Sequence, residues 1–252
     1  MLNRRHIRIK VLQTLYAYFQ SDNSDMVKGE KELLHSMERI YDLYLYLLQL
    51  LISLKRHSGI HLEESKRSTF MKKENESLNS NFSNFKLIEL LEENTSFQKI
   101  CKERKVSWQG DIENDLSRKL FKTLYESDSY KEIIKNSSED FEIKRALLVQ
   151  VFKQEICNFS LLHHFFDEKS IYWQDDLDHV ASMVIKTIKS IRKDGSLTIM
   201  PLWKEDEEDF ARNLFRKAII QREENDKTLE KYSKNWESDR LAKMDAFLMN
   251  LA

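Results

Sequence analysis

Apolar residues recur at spacings of three and four through most of this chain, the period of helices that bury one face. The first such run is Arg4 to Gln20, unbroken by Gly or Pro. Asn3 precedes it and suits an N-cap, because its side-chain oxygen accepts an orphan backbone N–H. At about 100° per residue, Val11, Leu12, Leu15, Tyr18 and Phe19 gather on one side. Extended backwards, that stripe meets Arg8 and Arg4, with Arg5 at its edge. Arginines in line with an apolar stripe predict a helix that packs by its C-terminal half and overhangs the globule by its first turns. Cations at a helix N-terminus oppose the macrodipole, at a cost of a few tenths to about 1 kcal/mol each. An anionic partner removes that cost, and phosphate oxygens match guanidinium forks bidentately.

The same period predicts further helices. A polar turn at Asp22-Asn23-Ser24-Asp25 leads into a long one from about Val27 to His57, closed by Ser58-Gly59. From Leu43 onward almost every position in it is apolar, which marks the central packing element. Residues 62–84 are polar and read as a loop. Short helices follow at about 86–94 and 96–104, then one near 112–127 with Leu116, Leu120, Phe121 and Leu124 inward. Ser137-Ser138-Glu139-Asp140 opens another, carrying Leu147, Leu148, Val151 and Phe152, with a break or continuation near Asn158. Gln174-Asp175-Asp176 starts the helix of Val180, Val184 and Ile188, and Lys193-Asp194-Gly195-Ser196 is a loop towards Pro201. The acidic run 204–209 opens a helix striped by Phe210, Leu214, Phe215 and Ala218. Asn225-Asp226 opens the next, with Leu229 and Tyr232 inward, and Trp236-Glu237-Ser238-Asp239 opens a last one.

Composition narrows the function. Four Gly and one Pro in 252 residues fit an all-α chain and leave no glycine-rich phosphate loop. The net charge is −1, so any polyanion is met by a local patch, not by a global field. Cys101 and Cys157 stand alone without a CxxC, which fits a reducing compartment. The longest uncharged apolar run, Leu43 to Leu54, is too short to span a bilayer, and no signal peptide precedes it. These features predict a cytoplasmic protein with no membrane association. The adjacent His163 and His164 point about 100° apart on a helix and cannot share an ion, and HExxH is absent. Acid clusters such as 205–209 fit helix starts better than catalytic pairs. No catalytic residue, metal site or cofactor is expected, and the chain does not read as an enzyme.

Two stretches resemble one family. Arg4-Arg5-His6-x-Arg8 followed by Val11-x-Gln13-x-Leu15-Tyr16 resembles the arginine-rich first helix of NusB-type transcription antitermination factors. From about Asp209 to Ala252, the Phe210-x-x-x-Leu214 helix, the helix at 226–233 and Trp236-x-x-x-Arg240-x-x-x-x-Asp245 with its apolar tail resemble that family's second helical half. The resemblance implies a NusB-like helical bundle. It would be a single all-helical domain over 1–252, with 22–203 expanded or inserted and 204–252 starting the second half. It also implies an RNA-binding factor acting on a boxA-like element of ribosomal RNA transcripts, with the ribosomal small-subunit protein NusE and RNA polymerase as partners. Arg4, Arg5, His6 and Arg8 match the arginine-rich motif and Tyr16 its tyrosine, while Lys10 is an addition of this sequence. The middle is longer than in compact members. The family's closing Asn-Glu helix and Asn-Gly turn do not follow Ala252, where the last helix stops apolar and uncapped, so the expectation is a chain truncated at its C-terminus. Two other classes fit the residues: a helical protein–protein scaffold without RNA binding, and the RNA-binding domain of a methyltransferase.

Overall fold

Asn3 caps the first helix as its position suggests: its Oδ1 accepts the His6 N–H at 3.0 Å, and α1 runs Arg4–Gln20. The computed structural model describes residues 2–21, 25–67, 82, 85–135, 140–204, 206–232 and 243–251. Of these, 82% are helical and none lies in a strand, so the chain is all-α. Among the described residues no helix is long and apolar enough to cross a membrane. The chain divides into two compact units, Met1–Arg39 with Pro201–Ala252, and Ile40–Met200. The family resemblance implies an expanded middle at 22–203.

In the first unit, α1 packs with α10 (Glu207–Ile220) and α12 (Lys243–Leu251), and α11 (Arg222–Tyr232) follows α10 after one turn residue. The start of α2 (Met26–Arg67) belongs here as well. Asp25 Oδ1 accepts the N–H groups of Val27 and Lys28, the work of an N-cap. Leu2, Ile7, Val11, Leu15, Leu33, Met37, Ala211, Phe215 and Phe247 are buried. Gly29 is needed where α2 meets these rings, because a Cβ there would lie 2.7 Å from Phe215 Cζ and 2.9 Å from Tyr18 Cδ2. Beside it, the buried Glu30 accepts from both Arg212 and Arg216, the latter through Nε at 2.6 Å and Nη2 at 2.9 Å.

In the second unit the rest of α2 is buried at every position from Ile40 to Leu48. Around it lie α3 (Lys86–Glu92), α4 (Thr95–Glu103), α5 (Asp111–Glu126), α6 (Asp128–Lys135), α7 (Phe141–Val151), α8 (Ser160–Lys169) and α9 (Leu177–Ser190). Tyr46, Trp108, Phe166 and Trp173 interlock, and the Trp108 indole N–H donates to the Tyr46 carbonyl at 2.8 Å. Tyr41, Tyr44 and Tyr46 of α2 are all buried and belong to the core. Tyr44 is fully buried, its hydroxyl 2.7 Å from Thr187 Oγ1. After α7 the helix widens into a π turn, Phe152–Ile156, before the break near Asn158 that the sequence left open.

Three expectations change. Ser58-Gly59 does not close α2, which continues to Arg67. Ser58 and Ser65 are buried, and His57 and His61 lie against Phe121, so packing outweighs the roughly 1 kcal/mol that one glycine costs a helix. The predicted loop at 62–84 therefore begins no earlier than residue 68, and most of it lies outside the described residues. Helix α6 is not among the helices that the apolar spacing predicts. Tyr232 does not face inward but is 75% exposed, because α11 contributes no buried residue to the core. The expected helix starts at 137–139 and 236–239 lie outside the described residues.

Candidate nucleic-acid interface

The first turns of α1 hold the arginines, and their surroundings decide what they can do. Leu2 and Ile7, on either side of Arg4, are both fully buried. The overhang predicted from the stripe is therefore absent: the first turn is seated on the N-terminal end of α10. Arg4 and Arg8 are accommodated there by an aromatic ring. The Arg4 guanidinium carbon lies 4.5 Å from the centroid of Phe210 and that of Arg8 5.4 Å from it. Arg4 Nη2 also reaches Asp206 Oδ2 at 2.6 Å. This pair sits in water, with side chains 55% and 70% exposed, so its net stabilisation is small and salt-sensitive. Arg5 and Arg8 are exposed, and Arg5 makes no hydrogen bond or ion pair among the described residues.

The remaining predicted residues separate. His6 is used at the cap, its Nδ1 2.7 Å from the Asn3 Oδ1 that also takes the His6 N–H. Lys10 is 3% exposed, which corrects its assignment to a polyanion-facing set. The buried arc of α1 comprises Ile7, Lys10, Val11, Thr14 and Leu15 and is rotated from the predicted stripe, leaving Leu12 and Phe19 half-exposed. Tyr16 is 39% exposed, with its ring edge-to-face on Phe247 at 6.0 Å. Arg5 and Tyr16 lie about three turns apart on the same side of α1, roughly 16 Å along its axis. The structure thus brings together Arg4, Arg5 and Arg8 as one cationic end, with Tyr16 further along the exposed side.

Asp206 and Phe210 are neighbours of the arginines that the periodicity of α1 does not announce. The signal was present, since an acidic run followed by an aromatic complements an arginine turn. The run has the composition of a capping segment, yet the Asp206 side chain makes no capping hydrogen bond.

Other chemistry-bearing groups are in structural use. His57 Nε2 lies 2.9 Å from Ser117 Oγ, and burial, with the charges of Arg56 and Arg118, holds its imidazole below the usual 6.5. His163 Nε2 meets the Cys157 carbonyl at 2.6 Å. Burial pushes the Cys101 thiol up to about 11 and Cys157 to about 12, so neither forms much thiolate at neutral pH. Among the described residues no group of three or more His, Cys, Asp or Glu could hold a metal ion. Comparison with protein-family models, curated proteins and solved structures returns no match.

Proposed function

We propose that this chain is a single-stranded-RNA-binding factor of the NusB kind, acting in transcription antitermination on ribosomal RNA transcripts with a boxA-like element. Its partners on this reading are NusE and RNA polymerase. The observation that carries it is the cationic end of α1, where three arginines share two turns and Arg5 and Arg8 are exposed to solvent. Exposed guanidinium groups at a helix N-terminus are relieved by phosphate, and the exposed Tyr16 offers a face for base stacking. Arg4, Arg5, Arg8 and Tyr16 are the contacts, with His6 contributing through the cap. The Arg4-Arg5-His6-x-Arg8 start with Gln13 and Leu15-Tyr16 supplies the family assignment by resemblance.

Fluorescence anisotropy with a labelled single-stranded oligoribonucleotide tests the reading. Replacing both Arg5 and Arg8 by Ala should weaken binding and flatten the dependence of log affinity on log salt, because fewer counterions are released. Unchanged affinity in that variant refutes the assignment.

A specific observation favours a second reading, a helical protein–protein scaffold without RNA binding. Met244, Leu248 and Met249 of α12 are exposed, an apolar group of the kind that partners cover. A pull-down whose yield is indifferent to ribonuclease, together with failure to bind the oligonucleotide, would select it.

A further inference from the structure

The arrangement of Arg4, Arg8, Phe210 and Asp206 has the geometry of an occupied anion site. Both guanidinium groups lie over one ring, at 4.5 and 5.4 Å from its centroid. An arginine stacked on an aromatic keeps its N–H edge free for an oxygen acceptor while its flat face is held. The acceptor on Arg4 is the Asp206 carboxylate, 2.6 Å from Nη2. That carboxylate heads α10 and makes no side-chain capping hydrogen bond, so its described polar contact is with Arg4. Carboxylate and phosphate oxygens use the same guanidinium fork.

We propose that Arg4 and Arg8 on the Phe210 ring form a single phosphate subsite, and that Asp206 is its internal occupant in the free protein, displaced when RNA binds. This rests on the RNA-binding reading above and adds a regulated step to it. Phe210 is a positioning residue: it fixes the guanidinium planes and touches no phosphate itself. Asp206 competes with the backbone of the strand and lowers affinity in the resting state. Any change that neutralises or withdraws this carboxylate opens the subsite.

Asp206→Asn tests the competitor, since Asn retains N-cap chemistry while losing the charge. Asp209→Asn is the control. It removes the same charge from an exposed position on the same helical turn without a described contact to either arginine. Anisotropy with a single-stranded oligoribonucleotide is measured over a salt series for the full chain and each variant, with thermal melts to verify folding. Asp206→Asn should bind about two- to fivefold more tightly than the natural chain, the range set by releasing an exposed ion pair. Asp209→Asn should change affinity less. Phe210→Leu should weaken binding about threefold or more while leaving the salt slope unchanged, because the phosphates contacted are the same and only the arginines' order is lost. If Asp206→Asn binds no more tightly than Asp209→Asn, the internal occupant is overturned while RNA binding stands. If the natural chain fails to bind the oligonucleotide at low salt, the RNA reading and the subsite fall together.

Discussion

Gly29 and Glu30 are neighbours that act by different physics. Gly29 admits Phe215 and Tyr18 so closely that a methyl group would stand 2.7 and 2.9 Å from their rings. Phe215 is fully buried and cannot swing away. Gly29→Ala gains about 1 kcal/mol of helix propensity but overpacks the core by about 1–3 kcal/mol. The expected result is a lower melting temperature, read by circular dichroism. A rise would show that the rings can shift. Glu30 is held by charge. Burial alone would raise its carboxyl, but hydrogen bonds from Arg216 and Arg212 outweigh burial and hold it below its usual 4.5. A depressed folded value means the unfolded chain binds the proton more tightly, so the contribution is present above about 4.5 and is lost as pH falls further. Glu30→Gln should cost about 1.5–3 kcal/mol at neutral pH, the worth of hydrogen bonds to a charged group. The gap between variant and natural chain should close in denaturant titrations run below pH 4.5. A gap independent of pH would show that the carboxylate's charge is not what holds the arginines.

Helix α2 shows what a periodic reading of an element can and cannot find. Gly59 lies in its interior, and a Cβ there would meet nothing within 4 Å. Gly59→Ala should therefore stabilise the protein by about 0.5–1 kcal/mol, opposite in sign to the same change at Gly29. A thermal melt that fails to rise would mean α2 depends on a bend at that glycine. Glycine looked like a stop because the packing that carries the helix past it comes from α5, whose Phe121 and Tyr125 meet His57 and His61. No local window contains those partners. The helix at 111–126, the one at 177–190 and the cap at Asn3 were legible because their signals are local: a stripe, an acidic first turn, an amide at the right place. The burial of Lys10 escapes a local window for a related reason. Period gives the angle of each side chain, but the width of the buried arc is set by neighbours, and α1 packs against both α10 and α12. The Arg4–Asp206 contact joins residues 202 positions apart, so the arginines could be named in advance but not what they lie against.

At the scale of the whole molecule, charge is nearly balanced, with 41 Lys and Arg against 42 Asp and Glu. Long-range attraction to a polyanion is therefore weak, and affinity has to come from the few groups that touch phosphate. With Arg4 and Arg8 sharing one phosphate of a single strand and Arg5 meeting another, the slope of log affinity on log salt is about −1.4. A much steeper slope would reveal a second cationic surface. The division of the chain locates the alternative. The arginine end of α1 belongs to the unit built from Met1–Arg39 and Pro201–Ala252, whereas Ile40–Met200 forms a compact unit with its own aromatic core around Tyr46, Trp108 and Trp173. A fragment spanning Ile40–Met200 should remain helical by circular dichroism, because Trp108, Trp173 and Tyr44 find their packing and hydrogen-bond partners within it. On the RNA reading, that folded fragment should bind the single-stranded oligoribonucleotide far more weakly than the full chain at the same salt. Equal affinity would move the interface off α1 altogether and make the middle of the protein, with its own exposed lysines and arginines, the carrier of the activity.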